Sequence, residues 1–159
     1  MAIYVAVVGP DPATPEVQAA CEEIGRLLAR AGAIVVTGGL GGAMEAASRG
    51  AAAEGGVTVG ILPGRSREDA NPYLTVSIPT GMGEGRNVLN VRAADAVIAV
   101  SGEFGTLSEI AFALKTDVPV VGLHTWELSK GGSRVAAFPQ VNTPQEAVRQ
   151  ALRLAGSGG

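Results

Sequence analysis

ADAVIAVSGEFGTLSE, residues 94–109, carries the clearest structural signal in this sequence. Its first part, 96–100, is a run of small and β-branched apolar residues, which is typical of a strand buried on both faces of a sheet. A glycine-rich turn, 101–105, follows directly, and the pattern after it predicts a helix over about 106–115. A buried strand, a glycine turn and a helix in this order make the βα unit of a parallel sheet.

The same unit recurs along the chain. Further strands are predicted at 3–8, 33–37, 57–61, 74–78 and 118–122, and further helices at 14–31, about 43–54, 84–93 and 144–154. Thr14-Pro15 and Thr143-Pro144 each combine a capping threonine with a proline in the first turn, which favours a helix start. The segment 123–142 fits either a short edge strand or a surface loop.

This alternation predicts an α/β protein. We expect a single Rossmann-like, three-layer domain over residues 1–155, with a mostly parallel sheet and helices on both faces. The last residues, 156–159, read Gly-Ser-Gly-Gly and predict a disordered tail. A chain of 159 residues is long enough for one domain with a buried core.

Charge and cysteine content exclude several classes of function. The net charge is −3 and the 12 basic residues are dispersed, so no basic surface for nucleic acid is expected. No apolar run is long enough to span a membrane, and the first residues show no signal-peptide pattern. The single cysteine, Cys21, allows no intramolecular disulfide and belongs to no metal-ligand cluster. We therefore predict a cytoplasmic protein that binds no nucleic acid, membrane or metal and needs no cofactor for folding.

Glycines follow several of the predicted strands. In an open parallel sheet the carboxyl ends of the strands form the ligand-binding edge, and helices that begin there present free N–H groups to an anion. Several such loops at one edge predict a site for a phosphate-bearing ligand; alternatively, the glycines only permit tight βα turns. The candidate binding residues in these loops and in the motifs below are Gly9, Gly38, Gly39, Gly41, Gly42, Thr80, Gly81, Arg86, Asn87, Ser101, Gly102, Glu103, Gly105, Thr106 and Glu109.

Two charged side chains stand out near these loops. Glu109 lies three residues after Thr106 on a predicted helix, so both side chains project toward the same edge; it is either a functional carboxylate or only a partner of the helix dipole. Arg86 opens a predicted helix, where a cation is unfavourable unless an anion is near. Arg65 and Arg67 fit either a phosphate clamp or an exposed loop.

Three stretches together resemble the SLOG superfamily of Rossmann-like proteins: GGLGGAMEAASRGA (38–51), IPTGMGEGRN (78–87) and ADAVIAVSGEFGTLSE (94–109). That superfamily includes the LOG ("Lonely guy") phosphoribohydrolases, often mislabelled lysine decarboxylases, and the DprA/Smf-related proteins. The chain looks most similar to the branch related to molybdenum cofactor carrier proteins. The resemblance implies a homodimer or a homotetramer.

LOG enzymes carry a PGGxGTxxE motif, whose glutamate corresponds to Glu109, and an upstream arginine that corresponds to Arg86. The resemblance implies that the carboxylate would stabilise a ribosyl oxocarbenium ion and the arginine would orient the ligand. The chain departs from the motif twice, with Ser101 in place of proline and Glu103 in place of the second glycine. A carboxylate about 5 Å from a phosphate costs roughly 3 kcal/mol at an effective dielectric constant near 20.

Two functions follow from this sequence. The first is a binding or carrier protein for a phosphorylated heteroaromatic ligand, which is a nucleotide or, by the resemblance, molybdopterin cofactor. The second is a nucleoside 5′-monophosphate phosphoribohydrolase that uses Glu109 and Arg86. A pyridoxal-phosphate-dependent lysine decarboxylase is a poor fit, because the only lysines, Lys115 and Lys130, lie away from the glycine-rich edge.

Overall fold

The computed structural model of the protein describes residues 1–158. The strands are β1 (Tyr4–Val8), β2 (Ile34–Thr37), β3 (Thr58–Leu62), β4 (Val76–Pro79), β5 (Ala96–Val100), β6 (Val120–Leu123), β7 (Leu128–Lys130), β8 (Ser133–Val135) and β9 (Gln140–Val141). The helices are α1 (Pro15–Arg30), α2 (Ala43–Ala53), α3 (Asn87–Arg92), α4 (Phe104–Lys115) and α5 (Pro144–Gly156), and a 3₁₀ turn, Gly83–Arg86, precedes α3.

Seven strands form one parallel sheet in the order β4-β3-β2-β1-β5-β6-β9. The chain builds outward from β1 to β4 on one side and then returns to add β5, β6 and β9 on the other. The strand order therefore reverses between β1 and β5, which are neighbours. At such a reversal the connections leave in opposite directions and open a crevice at the carboxyl ends of the two strands.

Two apolar cores lie on opposite faces of the sheet. One joins alternate side chains of the central strands to α1, α2 and α5; the other joins the intervening side chains to α3 and α4. β5 is buried along its whole length, as its unbroken apolar run predicts. The predicted α/β architecture, with a parallel sheet between two helical layers, is confirmed.

The first two helices pack so closely that glycine is required at their crossing. A Cβ atom on Gly25 would lie 2.0 Å from the carbonyl oxygen of Ala47, and one on Gly50 would lie 1.9 Å from that of Glu22. The threonine caps are confirmed: the Thr14 and Thr143 hydroxyls accept hydrogen bonds from the amides three residues ahead.

Several element boundaries differ from the sequence-based prediction by one or two residues. The helix predicted at 84–93 divides into the 3₁₀ turn and the short α3. The strand predicted at 74–78 begins only at Val76, the first residue that pairs with β3. Just before it, Thr58 and Thr75 exchange amide-to-hydroxyl hydrogen bonds, and the amide of Thr75 also donates to the carbonyl of Thr58. The helix predicted at 106–115 begins two residues earlier, at Phe104.

The segment 123–142, which the sequence assigned to either a short edge strand or a surface loop, contains an edge strand and a separate surface hairpin. β7 and β8 form an antiparallel hairpin outside the main sheet, whereas β9 pairs with β6 as a short parallel edge strand. The last helix continues to Gly156, so it overlaps the predicted tail by one residue, and Gly159 of that tail lies outside the described residues. Within residues 1–158, none of the helices is both long and apolar enough to cross a bilayer.

Candidate functional site

A cleft of about 280 Å³ opens at the carboxyl ends of β1 and β5, where the strand order reverses. We call it the polar cleft, because charged and amide side chains from α3 and α4 converge on it. It is lined by Val7, Val8, Gly9, Asp11, Gly38, Leu40, Met44, Pro63, Glu84, Arg86, Asn87, Asn90, Gly105, Thr106 and Glu109. Its position is the one that the parallel-sheet rule assigns to a ligand.

Arg86 is held in the cleft by protein acceptors. The side chain is only 8% exposed. Nε donates to the carbonyl of Ile61 at 2.9 Å, Nη2 donates to the carbonyl of Gly38 at 3.4 Å, and Nη1 donates to the side-chain oxygen of Asn87. A guanidinium has five N–H groups, so one hydrogen on each terminal nitrogen is left for another acceptor. Burial lowers the pKa of Arg86, while the charge of Glu109 opposes that shift.

Gly38 is the residue that makes room for this arginine. A Cβ atom there would lie 2.7 Å from Nη2 of Arg86 and 2.7 Å from the sulfur of Met44. Since such contacts are far closer than van der Waals separation, a larger residue would displace the guanidinium. Glycine at position 38 is therefore needed for the packing of Arg86, whether or not a ligand also approaches the backbone there.

Glu109, on α4, also lines the cleft and is buried, at 7% exposure. Its Oε2 accepts a hydrogen bond from Nδ2 of Asn90 at 3.1 Å. Burial raises the pKa of Glu109 to about 7, although the bond from Asn90 and the charge of Arg86 both lower it. The carboxyl group is therefore divided between its two protonation states near neutral pH, which suits proton transfer.

The first turn of α4 supplies backbone donors. Glu103 is the N-cap, and its side chain makes no capping hydrogen bond. The first intrahelical bond runs from the amide of Leu107 to the carbonyl of Glu103, so the amides of Gly105 and Thr106 precede the hydrogen-bonded helix. Both residues line the cleft, and helix N-termini of this kind favour anions.

The structure separates the candidate residues into two groups. Gly9, Gly38, Arg86, Asn87, Gly105, Thr106 and Glu109 line the polar cleft. Gly39, Gly41, Gly42, Thr80, Gly81, Ser101, Gly102 and Glu103 do not. Of these, Gly42 packs against the backbone of residues 10–11, and the hydroxyl of Thr80 donates to the carbonyl of Leu62.

The start of the 101–106 loop faces a different surface. Ser101, Gly102 and Glu103 border a shallow depression with residues 124–126 that follow β6. Ser101 has φ of 50°, which proline, with φ fixed near −65°, cannot adopt. The exposed Glu103 is absent from the cleft lining, so its carboxylate is not aimed at the space beside Arg86.

Sequence reasoning missed three polar residues of the cleft: Asp11, Glu84 and Asn90. Asn90 is the most informative, because its buried Oδ1 has no hydrogen-bond partner among the described residues. It lies four residues after Arg86, a spacing that places two side chains on one helical face. This four-residue spacing is the signal in the sequence that could have identified Asn90 as a cleft residue.

Comparison with known proteins identifies the family to which this chain belongs. The profile of the SLOG cluster4 family matches residues 2–149. The chain belongs to the SLOG cluster4 family. An uncharacterized protein of Archaeoglobus fulgidus is 38% identical over 150 residues, which cover 94% of this chain and 95% of that protein. The resemblance to the SLOG superfamily drawn from the sequence is thereby confirmed.

Two solved structures show the same fold as this SLOG protein over nearly its whole length. The molybdenum cofactor binding protein of Rippkaea orientalis is 31% identical with a TM-score of 0.87, and the match covers 97% of this chain and 98% of that one. The molybdenum cofactor carrier protein of Chlamydomonas reinhardtii is 29% identical with a TM-score of 0.86, covering 98% and 99%. The predicted similarity to the carrier branch is confirmed.

Proposed function

We propose that this SLOG protein binds molybdenum cofactor, a phosphorylated pterin, in the polar cleft and carries it as cargo. The observation that supports this most is the polar cleft with its buried arginine, in a chain that matches two molybdenum cofactor proteins from end to end. A nucleotide has the same phosphorylated heteroaromatic chemistry and is the other ligand that the cleft fits.

The cleft residues fit such a ligand. The free N–H groups of Arg86 and the amides at the start of α4 suit a phosphate, since charge-assisted donors and helix N-termini both stabilise anions. The orphaned Oδ1 of Asn90 suits an N–H or O–H donor of the ligand. We infer that Arg86 and Thr106 lie at the phosphate end.

The carrier proposal is tested by protection of the cofactor. Molybdenum cofactor released from a molybdoenzyme is mixed with the purified protein, and the fraction still able to reconstitute an apo-molybdoenzyme is followed over time. We expect slower loss than in buffer or with serum albumin at equal concentration. Loss at the same rate in all three would contradict the proposal.

A second function is favoured by one observation, the burial of Glu109 in the same cleft as Arg86, which raises the pKa of its carboxyl group to about 7. In the hydrolysis of a nucleoside 5′-monophosphate, water adds to C1′ of the ribose as the bond from C1′ to the base nitrogen breaks. Ribose 5-phosphate and the protonated free base result. A carboxylate beside C1′ would stabilise the oxocarbenium-like transition state, and Arg86 would hold the ligand. Incubation with a panel of nucleoside monophosphates tests this: released base that disappears in Glu109→Gln supports hydrolysis, and no release refutes it.

We also propose that a second copy of the chain packs against β4 to form a homodimer, which is the smaller of the two assemblies expected from the sequence. Val76 and Ile78 pair with Val59 and Ile61, so all four point to the face covered by α3 and α4. Val76 and Ile78 remain 44% and 45% exposed, so the helices on this face leave the β4 edge partly uncovered. Exposed apolar side chains gathered in this way mark an interaction surface.

Ile78→Asp is expected to convert the dimer to a monomer, because the carboxylate would be buried without a partner between the two copies. The molar mass measured by light scattering after gel filtration checks this. Val135→Asp is the matched control, since Val135 is equally exposed but lies on the separate β7–β8 hairpin. A wild-type protein that is monomeric at all concentrations would contradict the proposal, as would loss of assembly in both variants.

A further inference from the structure

A second cleft adjoins the polar cleft. It has a volume of about 460 Å³ and shares Glu84, Asn87 and Gly105 with the polar cleft, so the two lie side by side. Its other walls are mainly apolar, formed by Phe104 and Phe112 of α4 with Val88 of α3. We call it the apolar groove.

The polar cleft alone is small for the proposed ligand. Its volume falls just below the range of about 300–1,000 Å³ typical of ligand pockets, whereas the joined clefts fall within that range. Donors for a phosphate lie at one end, beside Arg86. Apolar and aromatic walls lie at the other end. The division matches a ligand with an anionic group and a flat ring.

Phe104 is the central feature of the groove. Its side chain is 74% exposed, which is unusual for a phenylalanine. One side of the ring packs against Trp126 with centroids 5.5 Å apart, and the indole Nε1 donates to the carbonyl of Glu103 at 3.2 Å. Trp126 therefore supports one side of the Phe104 ring, while most of the ring remains exposed to solvent.

Polar groups lie beside this aromatic wall. Nδ2 of Asn87 is 3.4 Å from the hydroxyl oxygen of Ser108, which itself donates to the carbonyl of Gly105 at 2.6 Å. Because this contact is long, Nδ2 of Asn87 has donor capacity left for a ligand acceptor, while its Oδ1 stays bonded to Arg86. Such groups could bond the edge of a ring that stacks on Phe104.

We propose that the apolar groove holds the heteroaromatic ring of the ligand, with Phe104 as its stacking platform, while the polar cleft holds the phosphate. The inference rests on the proposed function and adds to it a division of the site into two subsites. The ring is a pterin or a nucleobase, since both offer a π face and polar edges. The position of the groove next to α4 allows one ligand to span both subsites.

The test compares ligands with and without a ring. AMP, a pterin monophosphate and ribose 5-phosphate are titrated into the protein by calorimetry. In Phe104→Ala we expect the Kd of the ring-bearing ligands to rise about tenfold, as for other base–aromatic contacts, and that of ribose 5-phosphate to stay unchanged. Phe104→Tyr should restore the wild-type values. Of AMP and the pterin monophosphate, the one whose affinity falls more in Phe104→Ala carries the class of ring that the groove holds.

Truncation of an exposed ring should leave folding intact, and Val135→Ala serves as a matched exposed control. The fluorescence of Trp126, the only tryptophan, gives a second readout, since only ring-bearing ligands should change it in the wild type. Equal weakening of all three ligands, or of none, would overturn the inference. So would a change of oligomeric state in Phe104→Ala with unchanged AMP and pterin binding, which would assign the groove to a second copy. If the wild type binds none of the three, the proposed function itself fails.

Discussion

Arg86→Met is expected to weaken binding of a phosphorylated ligand by roughly a hundredfold or more. The guanidinium is buried, and three of its donors are fixed by Ile61, Gly38 and Asn87, so its two remaining N–H groups are held in place before a ligand arrives. Loss of a buried, preorganised charge partner leaves the ligand anion desolvated and unpaired. Methionine fills the space of the arginine side chain only to about Nε, so the variant loses the charge together with the three donated hydrogen bonds.

Titration of ribose 5-phosphate by calorimetry measures this loss without any contribution from a ring. Arg65→Met is the matched control, because Arg65 is an exposed arginine on the loop after β3 and lies outside the polar cleft. Arg86→Lys should bind with intermediate affinity, since an ammonium keeps the charge but cannot reproduce the planar fork. Unchanged affinity in a folded Arg86→Met protein would show that the phosphate lies elsewhere.

The sheet was predictable from the sequence because its signals are local. The apolar runs at 3–8 and 96–100 are buried on both faces, and the threonine caps act within one helical turn. The breaks of pattern at 74–78 and 84–93 depend instead on side chains distant in sequence. Thr58 and Thr75, seventeen residues apart, bond to each other through their hydroxyls just before β4 begins, and no local pattern reports such a pair.

The site was predictable only in part, for a related reason. A glycine-rich loop identifies the sheet edge but not which way each residue faces. The 101–106 loop divides, with its first three residues on one surface and Gly105 and Thr106 on another. Two of the three acceptors of Arg86 lie 25 and 48 residues away, and the partner of Glu109 lies on a different helix. Contacts between residues this far apart in sequence are made by the fold, so no local sequence pattern predicts them.

Glu109→Gln is expected to stabilise the protein at about pH 8 by up to roughly 3 kcal/mol. Since burial raises the pKa of Glu109 from 4.5 to about 7, the folded state binds a proton more tightly than the unfolded state. The stability that this proton contributes is fully present below about pH 4.5 and is lost as the pH rises through 7. Glutamine is neutral throughout, and its amide can donate to the orphaned Oδ1 of Asn90.

Urea unfolding at a series of pH values between 4 and 8 checks this, with the difference in free energy of unfolding between variant and wild type as the measured quantity. That difference should be small near pH 4 and grow in favour of Glu109→Gln up to about pH 8. Glu84→Gln removes a carboxylate from an exposed position in the same cleft and should show no such growth. A buried carboxyl group that is partly ionised at neutral pH lowers the stability of the wild type, a cost that functional sites commonly carry. A flat difference for Glu109→Gln would mean that the carboxyl group titrates as an ordinary solvated one and would remove the argument for Glu109 as an acid or base.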